Sequence, residues 1–334
     1  MTAPVITELQ RRVPDMRLTI QTTVARDFLE TRYRDFIHVP EIADFGFKMR
    51  SSTAIDLDAS AQTYARLYQD MDVLVGRNAE LLAAGAPDVV VGNAPFVPLA
   101  AAQRLGIPAF GLSSVNWADM YRHYLGDRPE AEKVLPAIAG AYESARSFLR
   151  SAPAQDMSLS NQVDIGPIFR VGRDRREEIN RIRGGKIGLV AFGGIDHPLD
   201  YEAWPRIDGW FWIVGHPVIS KRNDMISWDE VGLPFADLIA SVDVCITKPG
   251  YGTFTEAAGA GTPVLYLERP DWPECPHLQN WLGMHSRCLS ITPDTLAGPA
   301  LERQLHRLFC LPEQCVALPT GIQMAADRIL DYGA

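Results

Sequence analysis

Short apolar runs that alternate with longer stretches of helical spacing constrain the fold of this chain most strongly. In the first half, four such runs are rich in Val, Ile, Phe and Thr, which favours strands. They span residues 17–23, 36–40, 88–93 and 109–115. Residues 59–82 and 97–105 lie between strands and have helical periodicity. Because a helix joins consecutive strands, the strands are expected to pair in parallel.

The second half repeats this pattern. Its predicted strands span residues 186–194, 209–215, 242–247, 263–267 and 287–292. These runs are apolar almost throughout, which is typical of strands in a sheet that is covered on both faces. A chain of 334 residues is long enough for two domains that each bury a core. The sequence therefore predicts an α/β protein with two doubly wound domains.

The charged stretch of residues 166–185 separates the two halves. It lacks strand signals, and two glycines at its end interrupt the helical pattern. We therefore expect one domain over residues 1–168 and a second over residues 169–318. Residues 319–334 follow as an amphipathic helix that we expect to pack back toward the first domain.

Composition excludes several classes of protein. The net charge of −9 opposes a surface that tracks nucleic-acid phosphates. A basic run at residues 170–186 contains Glu177 and Glu178, which favours a solvated helix or linker and leaves a peripheral contact with an anionic membrane as the alternative. No apolar run approaches the ~18 residues of a membrane helix, and the N-terminus does not resemble a signal peptide.

The five cysteines form no C-x-x-C pair, so neither a disulfide framework nor a zinc site is expected. A cytoplasmic protein without a cofactor is the prediction.

Residues 243–267 contain the strongest motif. A strand leads into a turn at residues 248–252, followed by a predicted helix over residues 253–260 that ends at Gly261. In one interpretation Gly250 and Gly252 supply positive φ, and Thr253 and Glu256 form a capping box around an unliganded turn. In the other, the helix N-terminus and the glycines before it hold a phosphate.

Known nucleotide motifs are absent from this stretch. Neither a P-loop nor the dinucleotide pattern G-x-G-x-x-G is present, because Gly250-Tyr251-Gly252 continues to Thr255. ATP hydrolysis and NAD chemistry are therefore poorly supported.

Two further loops could take part in binding. Gly193 and Gly194 follow another strand, where they could face a second phosphate or form a simple turn. Two such loops favour an elongated ligand such as a nucleoside diphosphate. Downstream, His277, Gln279 and Asn280 are predicted at the first turn of a helix, where they suit sugar hydroxyls or a phosphate, or form an ordinary polar turn.

These motifs resemble a known family. The segment "LPFADLIASVDVCITKPGYGTFTEAAGAGTPVLYLERP" and the following "HLQNWL" resemble the C-terminal half of GT-B glycosyltransferases related to the GlcNAc transferase that completes lipid II. They are more similar to the glycosyltransferase-like N-terminal region of plant arabinokinases, which shares K-x-GYGT-x-x-EA. The segment "APFVPLAAAQRLGIPAFGLSSVNWADMYRHYL" resembles the same region, so the resemblance covers nearly the whole chain.

The resemblance implies a GT-B fold, with two Rossmann-like domains that face a cleft. The N-terminal domain would bind the acceptor and the C-terminal domain the nucleotide-sugar donor. It implies the following roles: donor diphosphate binding by Gly193, Gly194, Gly250, Tyr251, Gly252 and Thr253; ribose binding by Glu256; proximity to the base for Leu233 and Phe235; and donor-sugar binding by His277, Gln279 and Asn280. One ionised carboxylate can accept hydrogen bonds from both ribose hydroxyls.

The reaction implied is an inverting displacement at the anomeric carbon that needs no metal, with a UDP-sugar as the expected donor and an unknown acceptor. The pair Asp56 and Asp58 precedes a helical stretch and is expected to start that helix rather than bind a metal. The transferred sugar would be a hexose or a pentose.

The family pattern also predicts a first strand and a Gly-rich, His-containing loop before the first helix. Residues 3–12 already have the pattern of that helix, so the first N-terminal strand is expected to be missing. A late start codon, a truncated chain, or a protein that binds a nucleotide sugar without transferring it would each explain this. No catalytic base can be assigned, since His38 and His123 are unsupported candidates.

Two alternatives to a transferase remain. One is a non-catalytic module that binds sugar nucleotides and regulates a partner. The other is a UDP-sugar epimerase of GT-B fold, which needs acid and base groups that the sequence does not identify.

Overall fold

The computed structural model describes residues 1–42, 44–51, 54–192, 199, 201–215, 222–296 and 299–331. Contacts divide the chain into two compact units. The first unit consists of Met1–Arg50, Ile55–Ile168 and Thr320–Ala334, and the second consists of Ser51–Ala54 and Phe169–Pro319. Each unit has its own parallel sheet and its own core.

Helices and strands alternate along the described chain. The helices are α1 (Thr2–Arg12), α2 (Arg26–Glu30), α3 (Leu57–Gln69), α4 (Met71–Gly85), α5 (Val97–Leu105), α6 (Trp117–Leu125), α7 (Ala131–Glu143), α8 (Arg176–Ile182), α9 (Trp228–Val231), α10 (Phe235–Ser241), α11 (Tyr251–Ala260), α12 (Cys275–His285), α13 (Pro293–Leu296), α14 (Ala300–Phe309) and α15 (Gly321–Leu330). The strands are β1 (Leu18–Gln21), β2 (Phe36–Val39), β3 (Val90–Gly92), β4 (Ala109–Ser113), β5 (Ser147–Ser151), β6 (Gln162–Ile165), β7 (Lys186–Ala191), β8 (Trp210–Val214), β9 (Met225–Ser227), β10 (Val244–Thr247), β11 (Val264–Leu267) and β12 (Cys288–Ile291).

The larger sheet of the first unit has four parallel strands in the order β3, β4, β5, β6. Every residue of β4 is buried, as expected for a strand with both faces covered. On one face, Leu112 packs with Val5 of α1 and Ile329 of α15. On the other face, Phe148 of β5 belongs to a cluster that also contains Tyr64 of α3.

The smaller sheet of the first unit is a parallel pair. Strand β1 pairs with β2, from Leu18 opposite Phe36 to Gln21 opposite Val39. Among the described residues, β1 pairs only with β2, and β3 pairs only with β4. The two sheets are therefore not joined by a ladder of hydrogen bonds. The four strands predicted in the first half are confirmed as β1 to β4.

The second unit contains one sheet of six parallel strands in the order β12, β11, β10, β7, β8, β9. Strands β8, β10 and β11 are buried along their whole length. Leu189 and Val190 are neighbours in β7 and join different core clusters, so the sheet has a core on each face. The five strands predicted in this half are confirmed.

Some elements differ from the predictions. The helical stretch at residues 59–82 forms two helices, α3 and α4, which meet at Asp70. Strands β5, β6 and β9 were not predicted. Polar residues obscure the strand pattern of β5 and β6, and the structure shows how they are accommodated. Arg150 and Asp164 lie opposite each other on these two strands and form an ion pair at 2.6 Å.

Candidate functional site

The carboxyl ends of β7 and β10 form the natural binding position of the second unit. The two strands are neighbours, yet the chain continues from β7 to β8 on one side and reaches β10 on the other. Open α/β sheets bind ligands at such a reversal of strand order. Here Thr247 ends β10 opposite Ala191 of β7, and its hydroxyl donates a hydrogen bond of 2.5 Å to the Ala191 carbonyl. The loop that follows β7 carries Gly193 and Gly194, which lie outside the described residues.

Helix α11 starts directly after β10. Its first residue is Tyr251, and Gly250 is the N-cap with an extended backbone (φ −159°). Among the residues that the structure describes, no side chain caps this end of the helix. The first amides of an α-helix have no acceptor within the helix, and the helix dipole adds positive potential there. The first turn of α11 therefore has the features of an anion-binding position.

The predicted capping box at this helix is wrong. Thr253 is the third residue of α11, because the helix begins three residues earlier than an N-cap at Thr253 requires. In the described part of this unit, a capping box is present at α9, where Ser227 and Glu230 exchange hydrogen bonds. The predicted helix end is confirmed, since Gly261 is the C-cap with φ +70°.

The two glycines of the turn leave open space. Neither adopts positive φ, so the predicted conformational reason for glycine is wrong. Within the described part of the chain, a Cβ at Gly252 would meet no atom within 4 Å, and one at Gly250 would meet only the Lys248 carbonyl, at 3.9 Å. Small residues here therefore keep the start of the helix accessible without being needed for packing.

Two cations near this turn were not singled out from the sequence. Lys248 follows β10, and burial, followed by the positive charge of Arg269, lowers the pKa of its ammonium group. Arg269 follows β11, is mostly buried, and stacks its guanidinium on Trp272 at 3.8 Å from the ring centroid. Both groups follow strands at the carboxyl edge of the sheet, Lys248 two residues before the N-cap of α11 and Arg269 close enough to Lys248 to lower its pKa. In the sequence, Lys248 is the lysine of the K-x-GYGT pattern, whereas that pattern does not include Arg269.

Glu256 lies one turn into α11 and is half-buried. Burial, and after it the negative charge of Glu256, raise the pKa of the Cys245 thiol of β10 to about 12. The carboxylate is therefore close enough to β10 to act on a buried group of that strand. Its role with ribose stays a prediction.

An apolar wall lies at the same edge of the sheet. Leu233 and Phe235 flank the start of α10 and are half-buried against the core of the unit. Phe235 meets Trp228 edge to face, with ring centroids 5.6 Å apart. Trp228 directly follows β9, and a Cβ on Gly215, which follows β8, would approach its ring to 3.9 Å. No motif in the sequence pointed to Trp228.

Helix α12 begins earlier than predicted. It starts at Cys275, so Asn280 lies in the second turn and is exposed. His277 and Gln279 are two residues apart and do not share a helical face. His277 and Asn280 are three residues apart and do share a face of α12, so the structure brings two of the three residues together, and their role with a sugar stays a prediction. The residue at the start of the helix is Glu274, which is buried and accepts a hydrogen bond from the Trp272 indole at 3.2 Å.

This chain is similar to known proteins in both sequence and fold. No family model matches the chain. In sequence it is 24% identical over 301 residues to the L-arabinokinase of Arabidopsis thaliana, covering 83% of this chain and 29% of that protein. The chain thus spans less than a third of the length of this relative. The predicted resemblance to arabinokinases is confirmed, whereas the one to the lipid II GlcNAc transferase stays a prediction.

Solved structures match over almost the whole chain. The glycosyltransferase of kitacinnamycin superposes with a TM-score of 0.63, at 18% identity, over 99% of this chain and 94% of that one. The calicheamicin glycosyltransferase CalG4 gives a TM-score of 0.61, at 17% identity, over 100% and 91%. The chain has the GT-B fold. A third GT-B structure, UGT89C1 of Arabidopsis thaliana complexed with UDP, gives 0.57 at 13% identity over 98% and 90%.

Other predicted features of this GT-B chain can be located. Asp56 is the N-cap of α3 and accepts a hydrogen bond from the Ala59 amide, which confirms it as a helix start. His38 places its Nε2 at 2.9 Å from the Thr22 carbonyl, and His123 is exposed beside Tyr124. Neither histidine is thereby identified as a base. In the described ranges, no helix combines the length and the apolar character needed to cross a membrane.

Proposed function

We propose that this protein is a glycosyltransferase that binds a nucleotide-sugar donor in its second unit. The observation that carries the proposal is the open N-terminus of α11 at the reversal of strand order, with Lys248 and Arg269 beside it. Dipole, amides and two cations together suit a diphosphate. The GT-B fold supports the proposal, because its similar structures include glycosyltransferases solved with UDP and with dTDP.

The donor would lie along the carboxyl edge of the sheet. We assign the diphosphate to the turn from Gly250 to Thr253, which includes Tyr251 and Gly252, with Gly193 and Gly194 at a second phosphate. Glu256 would accept hydrogen bonds from the ribose hydroxyls. Leu233, Phe235 and Trp228 offer an apolar wall to the base, and we propose UDP as the nucleotide. Glu274 joins His277, Gln279 and Asn280 as a candidate for the donor sugar.

The proposed reaction inverts the anomeric carbon by direct displacement. An acceptor hydroxyl attacks that carbon, the bond to the diphosphate breaks, and a base takes the hydroxyl proton. As charge develops on the departing diphosphate, the α11 amides and the cations Lys248 and Arg269 would stabilise it. This positive charge comes from the chain itself, so we propose turnover without a metal ion.

A second candidate function is a sugar-nucleotide binding module without transferase activity. It is favoured by the similarity to L-arabinokinase, of which this chain matches only a portion, and by the absence of an assigned base. Both candidates require the same donor site. They differ only in whether the bond between the donor sugar and the diphosphate is broken in the presence of an acceptor.

The decisive experiment measures binding and turnover separately. Thermal unfolding is followed with UDP, dTDP and GDP, because a ligand at ~100 times its Kd adds about 2.7 kcal/mol of stability. Release of nucleotide is then followed with UDP-sugars and a panel of acceptors. Binding with turnover supports the transferase, and binding without turnover supports the module. No stabilisation by any of the three nucleotides would contradict both.

A matched pair of variants ties the binding to the site. Glu256→Ala should weaken the stabilisation by UDP, because the ribose hydroxyls lose their carboxylate acceptor. Glu132→Ala changes an exposed glutamate of α7 in the first unit and should leave it unchanged. If both variants respond to UDP as the wild-type protein does, the assignment of Glu256 is wrong.

A further inference from the structure

A cavity opens at the amino edge of the sheet in the second unit, opposite to the edge that carries the proposed donor site. It has a volume of about 440 Å³ and lies where β7 and β8 begin. Lys186 and Trp210 are the first residues of these strands and lie opposite each other in the ladder. Because β7 has six residues, the two edges are about 16 Å apart at a rise of ~3.3 Å per residue.

Four titratable side chains line this cavity: Lys186, Asp208, Glu302 and His306. Among the described residues, none of the four takes part in an ion pair or a side-chain hydrogen bond. Lys186 and the two carboxylates therefore share one cavity at separations beyond ion-pair distance. Opposite charges arranged in this way leave room for a ligand that carries both charges.

The cationic side of the cavity is held in place by aromatic rings. The Lys186 ammonium lies 5.6 Å from the ring centroid of Trp210 and 5.3 Å from that of Phe309. Both distances are within the range of cation–π attraction. The rings orient the ammonium group and leave its hydrogen-bond donors available, since an aromatic face satisfies none of them.

The anionic side is built from two elements. Asp208 lies in the turn before β8, next to Gly209, which adopts φ +76°. Glu302 and His306 lie four residues apart on α14 and therefore share a face, which continues to Phe309 one turn later. Ile207 and Leu305 also line the cavity, and both are almost fully buried.

We propose that this cavity binds a zwitterionic α-amino acid with an apolar side chain. The carboxylate of the ligand would pair with Lys186, and its ammonium group with Asp208 and Glu302. Its side chain would lie against the apolar surface formed by Ile207, Leu305 and the aromatic rings. A simple anion, including a phosphate, would face two carboxylates, and a simple amine would face the lysine. The charged side chains of the wall are solvent-exposed, and a ligand with both charges would offer a partner of opposite charge to the lysine and to the carboxylates.

Isothermal titration with three related compounds tests the proposal. L-phenylalanine carries both charges, phenethylamine lacks the carboxylate, and 3-phenylpropionate lacks the ammonium group. We expect phenylalanine to bind at millimolar or lower concentration and each analogue to bind at least tenfold more weakly. Alanine should also bind more weakly, because it lacks the apolar side chain. No binding of phenylalanine, or equal binding of an analogue that carries one charge, would overturn the proposal.

Charge variants locate the binding. Lys186→Met removes the cation and keeps an apolar stem, so phenylalanine should lose its advantage over phenethylamine. Glu302→Gln should weaken phenylalanine binding at least about fivefold, whereas Glu132→Gln on the first unit should not change it. Unchanged binding in both cavity variants would place the ligand elsewhere and refute the assignment. UDP binding, measured on the same proteins, should not change, so this test is independent of the donor site.

Discussion

Among single residues, Lys248 offers the sharpest test of the donor site. Its ammonium group is half-buried at the end of β10, and burial together with Arg269 lowers its pKa. We expect Lys248→Met to raise the Kd for UDP at least tenfold, which is about 1.4 kcal/mol, because a charge-assisted contact with the diphosphate is lost. The control is Lys133→Met on an exposed position of α7. Equal affinity of the two variants for UDP, by titration calorimetry, would exclude Lys248 from the site.

The burial of Asp44 predicts that the stability of the first unit depends on pH. Its carboxylate is buried and accepts hydrogen bonds from the amides of Phe96 and Val97, at 2.6 and 2.8 Å, where α5 begins. Burial raises its pKa from 3.8 to about 7, although the two amides oppose the shift. The folded state therefore holds a proton that the unfolded state releases above about pH 4.

The consequence is a loss of stability as the pH rises from about 4 to about 7. This group alone lowers the free energy of unfolding by at most about 1.4 kcal/mol per pH unit in that window. We expect Asp44→Asn to remove this contribution, because the substituted amide oxygen still accepts from both backbone groups and does not titrate. Urea unfolding of both proteins across this range measures the two slopes. Parallel slopes would show that Asp44 titrates normally.

Residue identities alone revealed some of these positions, but not Arg269 or Asp44. Gly250, Gly252 and Glu256 could be selected from the sequence because glycines and a carboxylate follow a strand in one short motif. Lys248 and Arg269 come together because β10 and β11 are neighbours in the sheet, a fact of topology. Asp44 is distant in sequence from the helix whose first amides it binds. Long-range proximity of this kind has no local pattern in the sequence.

At the level of elements, α11 separates a structural role for glycine from a binding role. Gly252 is the second residue of the helix, and an added Cβ would meet no atom of the described residues within 4 Å. Gly252→Ala should therefore leave the free energy of unfolding unchanged or raise it by up to about 1 kcal/mol. The same methyl group would occupy the open surface, so we expect UDP to bind more weakly.

Gly259 provides the matched contrast on the same helix. A Cβ at Gly259 would approach the Phe169 ring to 2.1 Å, so Gly259→Ala should destabilise the protein by about 1–3 kcal/mol. Chemical denaturation gives the stabilities, and titration with UDP gives the affinities. If Gly252→Ala lost stability and kept its affinity for UDP, Gly252 would have a structural role and not a binding role.

Helix starts were harder to predict than strands in this chain. The apolar runs of β7, β8 and β10 identify themselves because buried parallel strands need apolar residues on both faces. The starts of α11 and α12 were placed two residues too late. In α11, Gly250 is the N-cap and no described side chain caps the helix, while Thr253 and Glu256 have the spacing of a capping box further on.

For the molecule as a whole, the fold and the activity rest on different evidence. Similarity over almost the full chain at TM-scores of 0.57 to 0.63 establishes the GT-B fold. The identities to those structures are below 20%, so the fold does not identify the donor or the acceptor. Both must be argued from the chemistry of the site. The net charge of −9 makes the second unit's local cations important, because an anionic ligand gains nothing from the overall field of the protein.

Whether UDP binding requires a metal ion tests how the diphosphate is held. If Lys248, Arg269 and the α11 dipole compensate the diphosphate, a divalent cation bound to UDP competes with them for the same oxygens. We therefore expect the Kd for UDP to change less than about threefold, under 0.7 kcal/mol, when EDTA replaces Mg²⁺ in calorimetric titrations. Nucleotide release with donor and acceptor should likewise continue in EDTA. A loss of UDP affinity greater than tenfold in EDTA, restored by added Mg²⁺, would mean that the cations of the chain do not suffice.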